Sequence, residues 1–268
     1  MKESSKARVS RLMKKYNVSA RESFSQNFLI DDNKIDLIID SIPFDKSDLV
    51  VEIGPGLGSL TRRLVEKEKQ VVAIDVDRDM IGVLKEEFKD VSNLSLELKD
   101  FLEYDLEKFH VKHVIYVGNL PYNITTKIIK KVIFEPNFVS FNFMVEKDYV
   151  DKLMYRENSV TNTALGVLMA LRGNLEVVTD LGPSSFVPAP KITSTFLRYT
   201  PSNLDYERRA FEVLEILFKT PRKNIMNNIK KSSLNITRED LLNNSIDPLK
   251  RAHELTLENF KKIVELAR

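Results

Sequence analysis

The amino-acid sequence predicts an α/β protein, a seven-stranded sheet wound with crossover helices, followed by a small all-helical C-terminal domain. From Ile35 onward, short runs rich in β-branched residues alternate with segments of helical periodicity, the pattern of a parallel sheet covered on both faces. After Thr200 and Pro201 the strand pattern stops and only helical periodicity remains. The chain has 268 residues, 43% hydrophobic and 30% charged, enough for one substantial core and a smaller unit beside it.

The candidate strands, in order, are Leu49 to Ile53, Gln70 to Asp75, Leu94 to Leu98, His113 to Val117, Val139 to Val145, Leu175 to Thr179 and Ile192 to Tyr199. Between them, Leu57, Leu60 and Leu64 share one helical face, as do Met80, Leu84 and Phe88. Short helices are predicted around Phe211 to Phe218, Ile225 to Ile229 and Leu257 to Leu266. This divides the chain into a basic N-terminal tail (1–22), a ligand-binding catalytic domain (23–201) and a helical domain (202–268).

Composition excludes several chemistries. Cysteine is absent, so no disulfide framework, thiolate metal site or cysteine nucleophile can be built, and no metal site is expected. The N-terminus has no apolar core of a signal peptide, and no stretch has 18 consecutive apolar residues, so the expectation is a soluble, cytoplasmic protein without a membrane partner.

Net charge is only +2, but it is unevenly spread. Lys2, Lys6, Arg8, Arg11, Lys14, Lys15 and Arg21 face a single acid, Glu3, in the first segment. Lys219, Arg222, Lys223, Lys230 and Lys231 form a second acid-free stretch. Each could be a solvated face; together, flanking the sheet domain, they favour a polyanion partner, with Lys14, Lys15, Arg222 and Lys223 as the candidate contacts.

The run Val50-Val51-Glu52-Ile53-Gly54-Pro55-Gly56-Leu57-Gly58 puts a glycine-rich turn between the first strand and an amphipathic helix. Such a turn can serve tight packing alone, or let a ligand approach the backbone at a helix N-terminus. Its spacing differs from the dinucleotide fingerprint. Asp75 ends the second strand, where a carboxylate can accept from both ribose hydroxyls, with Val76 next to it. Asp100 follows the third strand and could accept from an adenine amino group, with Phe101 as apolar cover. Acids after consecutive strands of one sheet converge on its C-terminal edge. The set Glu52, Gly54, Gly56, Gly58, Asp75, Val76, Asp100 and Phe101 therefore describes a site for an adenosine held by ribose and base, which S-adenosylmethionine fits.

Gly118-Asn119-Leu120-Pro121-Tyr122 ends the fourth strand. The lone pair of an adenine N6 is delocalised into the ring, so an enzyme must localise it beside an electrophile. The Asn119 side-chain oxygen and the Leu120 carbonyl can each accept one N6 hydrogen, Pro121 stiffens the turn, and Tyr122 can stack on a flipped base. No general base is required; catalysis is mainly positioning.

In this order the motifs resemble the small-subunit ribosomal RNA adenine dimethyltransferase family of the KsgA type. The resemblance runs from about Ser23 to the C-terminus and includes Gln26-Asn27-Phe28-Leu29, Ser185-Phe186-Val187-Pro188-Ala189-Pro190-Lys191-Ile192, Arg222-Lys223-Asn224-Ile225, and Ile246-Asp247-Pro248 with Arg251-Ala252. It implies a Rossmann-like class I methyltransferase sheet and a cofactor site lined by Asn27, Leu29, Gly54, Asp75, Asp100 and Asn119. It implies that Asn119 to Tyr122 bind the target amino group and that Phe186 faces Tyr122 across the target base. It further implies dimethylation of two adjacent adenosines in a hairpin loop near the 3′ end of 16S rRNA, within the small ribosomal subunit during its biogenesis; a monomer is the default. Three features depart from the family pattern: Asp75 where Glu is frequent, Asn162 to Gly166 where Tyr-Gly-x-Leu-Ser is frequent, and Ser25 in place of a frequent Gly.

Two other readings stand beside this one. A resistance-type methyltransferase of 23S rRNA would share the cofactor loop and the Asn-x-Pro-Tyr type motif, but the Ile246 to Ala252 run resembles the small-subunit family. A non-catalytic assembly factor would keep the fold, but Asn119, Pro121 and Tyr122 are all intact.

Overall fold

The computed structural model describes residues 3–21, 26–68, 70–105, 111–121, 123–202 and 206–267. In chain order the N-terminal elements are α1 (Ser5–Tyr16), β1 (Phe28–Leu29), α2 (Asp32–Asp40), β2 (Leu49–Ile53), α3 (Thr61–Lys67), β3 (Val71–Asp75), α4 (Arg78–Glu87), β4 (Leu94–Leu98), β5 (Val114–Asn119), α5 (Thr125–Ile133) and β6 (Phe138–Glu146). They are followed by α6 (Lys147–Leu153), α7 (Ala164–Arg172), β7 (Gly173–Leu181), β8 (Phe186–Val187), β9 (Ser194–Pro201), α8 (Arg208–Phe218), α9 (Ile225–Ile229), α10 (Arg238–Asn243) and α11 (Leu257–Leu266).

The main sheet has the order β4-β3-β2-β5-β6-β9-β7. All seven predicted strands are present. The first five run parallel, with β2 between β3 and β5, so the chain order reverses at the β2–β5 boundary. In such sheets that boundary opens a crevice beyond the strands' C-terminal ends. β2 is buried throughout, and its run Leu-Val-Val-Glu-Ile reads as a strand covered on both faces.

The sheet is not wholly parallel as the sequence pattern suggested: β9 pairs antiparallel with β6 and lies between it and β7. A parallel return needs a crossover of a dozen or more residues, usually a helix, and the stretch from Gly182 to Thr193 holds only a 3-10 turn and the two-residue β8. A second ribbon pairs β1 with β8 antiparallel, Phe28 opposite Val187 and Leu29 opposite Phe186.

The expected basic tail is instead a packed helix. α1 is capped by Ser4, whose hydroxyl accepts from the Ala7 N–H, and ends at Asn17 in the left-handed region. Val9 and Leu12, three residues apart on one face, are buried with Phe28, Leu57, Met80 and Val83. The charge run concealed this apolar stripe. Two of its cations are also matched by acids: Arg11 pairs with Glu3 at 2.9 Å and Glu87 at 3.2 Å, and Lys15 pairs with Glu87 at 2.9 Å.

The chain forms two compact units, and the division differs from a single break near residue 201. One comprises residues up to 147 with 176–200; the other comprises 148–175 with 201 onward. The inserted helix α7 is apolar nearly all round, with Ala164, Leu165, Val167, Leu168, Met169 and Leu171 buried, so it needs partners on every side. It finds them in α8 and α11. Phe260 of α11 stacks on Phe218 at 5.8 Å between ring centroids and meets Tyr155 edge-on at 6.4 Å. The unusual Asn162 to Gly166 segment is the start of α7: Thr163 caps it through the Gly166 N–H, and a Cβ on Gly166 would lie 2.8 Å from the Lys152 carbonyl oxygen. Among the described residues, no helix is long and apolar enough to cross a membrane.

Candidate functional site: a cleft at the sheet's switch point

Beyond the C-terminal ends of β4, β3, β2 and β5 lies a cleft of about 290 Å³, the lower end of the range of small-molecule sites. Each strand contributes to it: Asp100 just after β4, Asp75 at the end of β3, Gly54 and Gly56 after β2, and Asn119 at the end of β5. Asn27, Val76 and Pro121 complete the predicted residues on its wall. A smaller chamber of about 40 Å³ adjoins it, sharing Gly54, Gly56 and Asn119 and adding Leu29 and Glu52.

Gly54 and Gly56 have φ of 69° and 54°, in the region that disfavours side chains. A Cβ on Gly56 would also come within 3.1 Å of the Phe28 ring, so the loop passes under β1 with no room to spare. Gly58 behaves differently. It does not line the cleft; its missing Cβ makes room for Leu84, 2.8 Å away, and for Phe88. Its expected place among the cofactor ligands is corrected to helix packing.

Asp75 accepts from the backbone N–H groups of Asp77, at 2.9 Å, and Gly56. Burial raises its carboxyl to about 6 against those hydrogen bonds, and the neighbouring Asp77 charge adds to the rise. Glu52 is 2% exposed, and burial pushes it up to about 7, although Thr61 donates to it at 2.6 Å; the Asp75 charge raises it further. Neither carboxyl is bonded to a cation among the described residues, so a cationic ligand would favour the ionised form of each and be favoured by it in turn.

Asn119 donates its side-chain N–H to the Asn27 carbonyl at 3.1 Å. A carbonyl only accepts, so Nδ2 must face Asn27 and Oδ1 is left as an acceptor. The Leu120 N–H is tied to the Met144 carbonyl at 3.3 Å, which fixes the peptide joining Asn119 and Leu120; the Leu120 side chain is buried. Tyr122 lies outside the described residues.

Two predicted aromatics are not in the cleft. Phe101 is buried edge-on against Tyr116, 6.1 Å between centroids. Phe186 is 3% exposed within the main core, beside Leu29 and Ile35, so its expected position across a target base is corrected: in this structure its ring is covered. Its pairing with Leu29 in the β1–β8 ribbon turns it inward.

Sequence reasoning did not assign Gln26, Phe28, Asn123 and Ile124 to the site, yet all four line the cleft. Gln26, Phe28 and Asn123 directly adjoin assigned residues, and Ile124 lies two positions beyond Tyr122. Gln26 donates to Asp77 at 2.9 Å, and Asp77 in turn caps α4 through the Asp79 N–H. Of the expected RNA contacts, Lys14, Arg222 and Lys223 are exposed and form no ion pair among the described residues, whereas Lys15 is held by Glu87.

Residues 17–268 match the family described as "Ribosomal RNA adenine dimethylase". The chain belongs to the ribosomal RNA adenine dimethylase family. It is 33% identical over 264 residues to the ribosomal RNA small subunit methyltransferase A of Clostridium botulinum (strain Langeland), covering 94% of this chain and 95% of that one. It is 32% identical over 272 residues to the protein of the same name from Alkaliphilus oremlandii, covering 96% and 95%. Among solved structures, a dimethyladenosine transferase from Plasmodium falciparum superposes with a TM-score of 0.76 at 24% identity, covering 88% of this chain and 95% of that one. The 23S rRNA methyltransferase ErmE superposes with a TM-score of 0.69 at 22% identity, covering 90% and 99%. These two likenesses show the shared class I fold. The rRNA adenine dimethylase is thus a methyltransferase that uses S-adenosylmethionine as its methyl donor. The donor set suits that cofactor: a glycine cradle that a single Cβ would crowd, two acidic acceptors after neighbouring strands, and buried carboxyls matched to a cationic ligand.

Proposed function

We propose that this protein dimethylates N6 of two adjacent adenosines in the hairpin loop near the 3′ end of 16S rRNA, within the small ribosomal subunit and as part of its biogenesis. The observation that carries the reading is the convergence of Asp100, Asp75, the Gly54–Gly56 turn and Asn119 from four neighbouring strand ends on one cleft. The small-subunit target is supported by relatives carrying that name that match 94% of the chain, the helical unit included.

S-adenosylmethionine supplies an electrophilic methyl group on a sulfonium. Asp75 accepts from ribose hydroxyls and Asp100 from the adenine amino group, while Asn27, Leu29, Gly54, Gly56 and Val76 shape the seat. Glu52 and Asp75 favour the positive charge electrostatically. The Asn119 Oδ1 and the Leu120 carbonyl accept the two hydrogens of the target N6 and localise its lone pair toward the methyl group. After transfer the nitrogen's surplus proton leaves to water, so no side chain has to act as base. Pro121 stiffens the turn and Tyr122 offers a stacking face. Arg222, Lys223 and Lys14 meet RNA phosphates.

The test is incubation with labelled S-adenosylmethionine and either unmethylated small subunits or 23S rRNA, followed by nucleoside identification by mass. N6,N6-dimethyladenosine at two neighbouring 16S positions is the expected product. Label confined to 23S rRNA would replace this reading with the resistance-type one, and label in neither would favour an assembly factor.

A further inference from the structure

Arg8 is a buried cation that the reaction described above does not use. It is 6% exposed on the inner face of α1, with its guanidinium carbon 5.4 Å from the centre of the Phe88 ring. Burial, aided by the charge of Arg62, lowers its pKa to about 10, so the protein keeps this charge against a desolvation cost. Docking α1 does not require it, because Val9 and Leu12 already provide the apolar contact. What a guanidinium adds is direction: Nη1 donates to the Leu57 carbonyl at 2.5 Å.

Leu57 sits between Gly56 and Gly58, both at positive φ; Gly56 lines the cleft and Leu57 the small chamber beside it. Glycines on both sides leave the backbone many conformations, each of which must be given up when a ligand is bound. The turn is closed by its own bond from the Gly58 N–H to the Pro55 carbonyl at 2.9 Å, and two side chains hold it from either side. From inside the cleft, the Asp75 carboxylate accepts from the Gly56 N–H. From outside, Arg8 takes the carbonyl of the next residue. Arg8 itself is kept in place because α1 is anchored at its start, where the Ser5 N–H and hydroxyl both donate to Asp32, at 3.0 Å and 2.6 Å.

We propose that Arg8 is a positioning residue for the cofactor, bracing the Gly56-Leu57-Gly58 turn from the far side of the cleft so that it is already shaped before S-adenosylmethionine arrives. The ordering is completed during folding rather than on binding, and the benefit appears as affinity. The proposal rests on the reading that this turn seats the cofactor.

The experiment is calorimetric titration of S-adenosylmethionine into the full chain, wild type against Arg8→Met, Arg8→Lys, Leu12→Ala and Asp75→Ala, with thermal melts of each. Arg8→Met keeps the packing volume and loses the donor; we expect its Kd to rise about tenfold, the size of one charge-assisted hydrogen bond. KM for S-adenosylmethionine should rise equally, with kcat at saturation unchanged. Arg8→Lys, which keeps the charge and can still donate to the Leu57 carbonyl, should recover part of the loss, and it carries the test if Arg8→Met does not fold. Leu12→Ala should melt lower without a comparable loss of affinity. Arg8→Met binding within about twofold of wild type would overturn the proposal, as would an equal loss in Leu12→Ala, which would assign the effect to α1 docking alone. Normal binding by Asp75→Ala would remove the seat itself, and the proposal with it; normal binding by Arg8→Met alone leaves the seat standing.

Discussion

The side-chain amide of Asn119 donates to the main-chain carbonyl of Asn27 at 3.1 Å, across 92 residues of sequence. One bond thus orients the oxygen intended for the target amino group and ties the end of β5 to the segment bordering the cofactor cleft. Catalytic geometry and cofactor geometry share this hydrogen bond.

Asn119→Ala should therefore lower kcat by about a hundredfold or more, since the acceptor for N6 is removed, and should raise the Kd for S-adenosylmethionine by less than about tenfold, since Asn27 forfeits one hydrogen bond. Single-turnover kinetics and calorimetry separate the two. A Kd increase as large as the kcat loss would mean that Asn119 serves the cofactor first.

Glu52 gives a stability effect with a defined sign. In the folded protein it holds its proton up to about pH 7, against 4.5 for the free side chain. Between those values the folded state binds more protons than the unfolded one, so its contribution is fully present below pH 4.5 and lost as pH rises through 7. Glu52→Gln stays neutral throughout. Its melting midpoint should exceed that of wild type by several degrees at pH 8 and differ little at pH 4.5. Equal midpoints at pH 8 would show that the carboxylate is not penalised in the folded state.

The two basic segments should behave differently toward RNA. Replacing Arg222 and Lys223 with Ala should weaken binding of single-stranded target RNA and reduce the salt slope by about 0.7 for each phosphate that is no longer neutralised. Replacing Lys15, which Glu87 holds at 2.9 Å, should leave the slope unchanged and affect stability instead. Hydrogen bonds from Lys15, Tyr16 and Arg11 overcome the opposing effect of burial and bring Glu87 down to about 2, so this cluster is already internally balanced. A slope that responds to Lys15 and not to Arg222 would reverse the assignment.

Gly58→Ala tests whether the third glycine serves packing. Its Cβ would stand 2.8 Å from a Leu84 methyl in a backbone held at φ 77°, so we expect a loss of about 1–3 kcal/mol in stability. Any loss of affinity for S-adenosylmethionine in the folded fraction should be smaller than that of Arg8→Met, since Gly58 touches the cofactor only through the turn. An intact melt with impaired affinity would return Gly58 to the cofactor site.

The legible parts were those with a local signature. Strands such as Leu49–Ile53 and Leu94–Leu98 stand where short, regular runs predict them, and strand-end acids such as Asp75 and Asp100 follow from the α/β pattern. Direction and partnership are not local quantities. Nothing in Ser194–Pro201 shows that this strand runs antiparallel, and nothing in Ala164–Arg172 shows that it joins the helical unit rather than crossing the sheet. Charge hid α1, since Val9 and Leu12 are only two apolar positions among many cations. Phe186 was misplaced because adjacent prolines suggest an open loop, whereas its pairing with Leu29 joins residues far apart in the chain.

That pairing has a further consequence. The β1–β8 ribbon is only two residue pairs long, continued by the Ile30 N–H donating to the Ser185 carbonyl at 2.9 Å. One of its strands borders the cofactor cleft, and the other leads directly into the Val187–Pro190 loop. The cleft wall and that loop are therefore tied to each other across a few hydrogen bonds rather than by the course of the chain. Were the cofactor to change the posture of that loop, a partner gripping the loop would change the cofactor's affinity by the same factor.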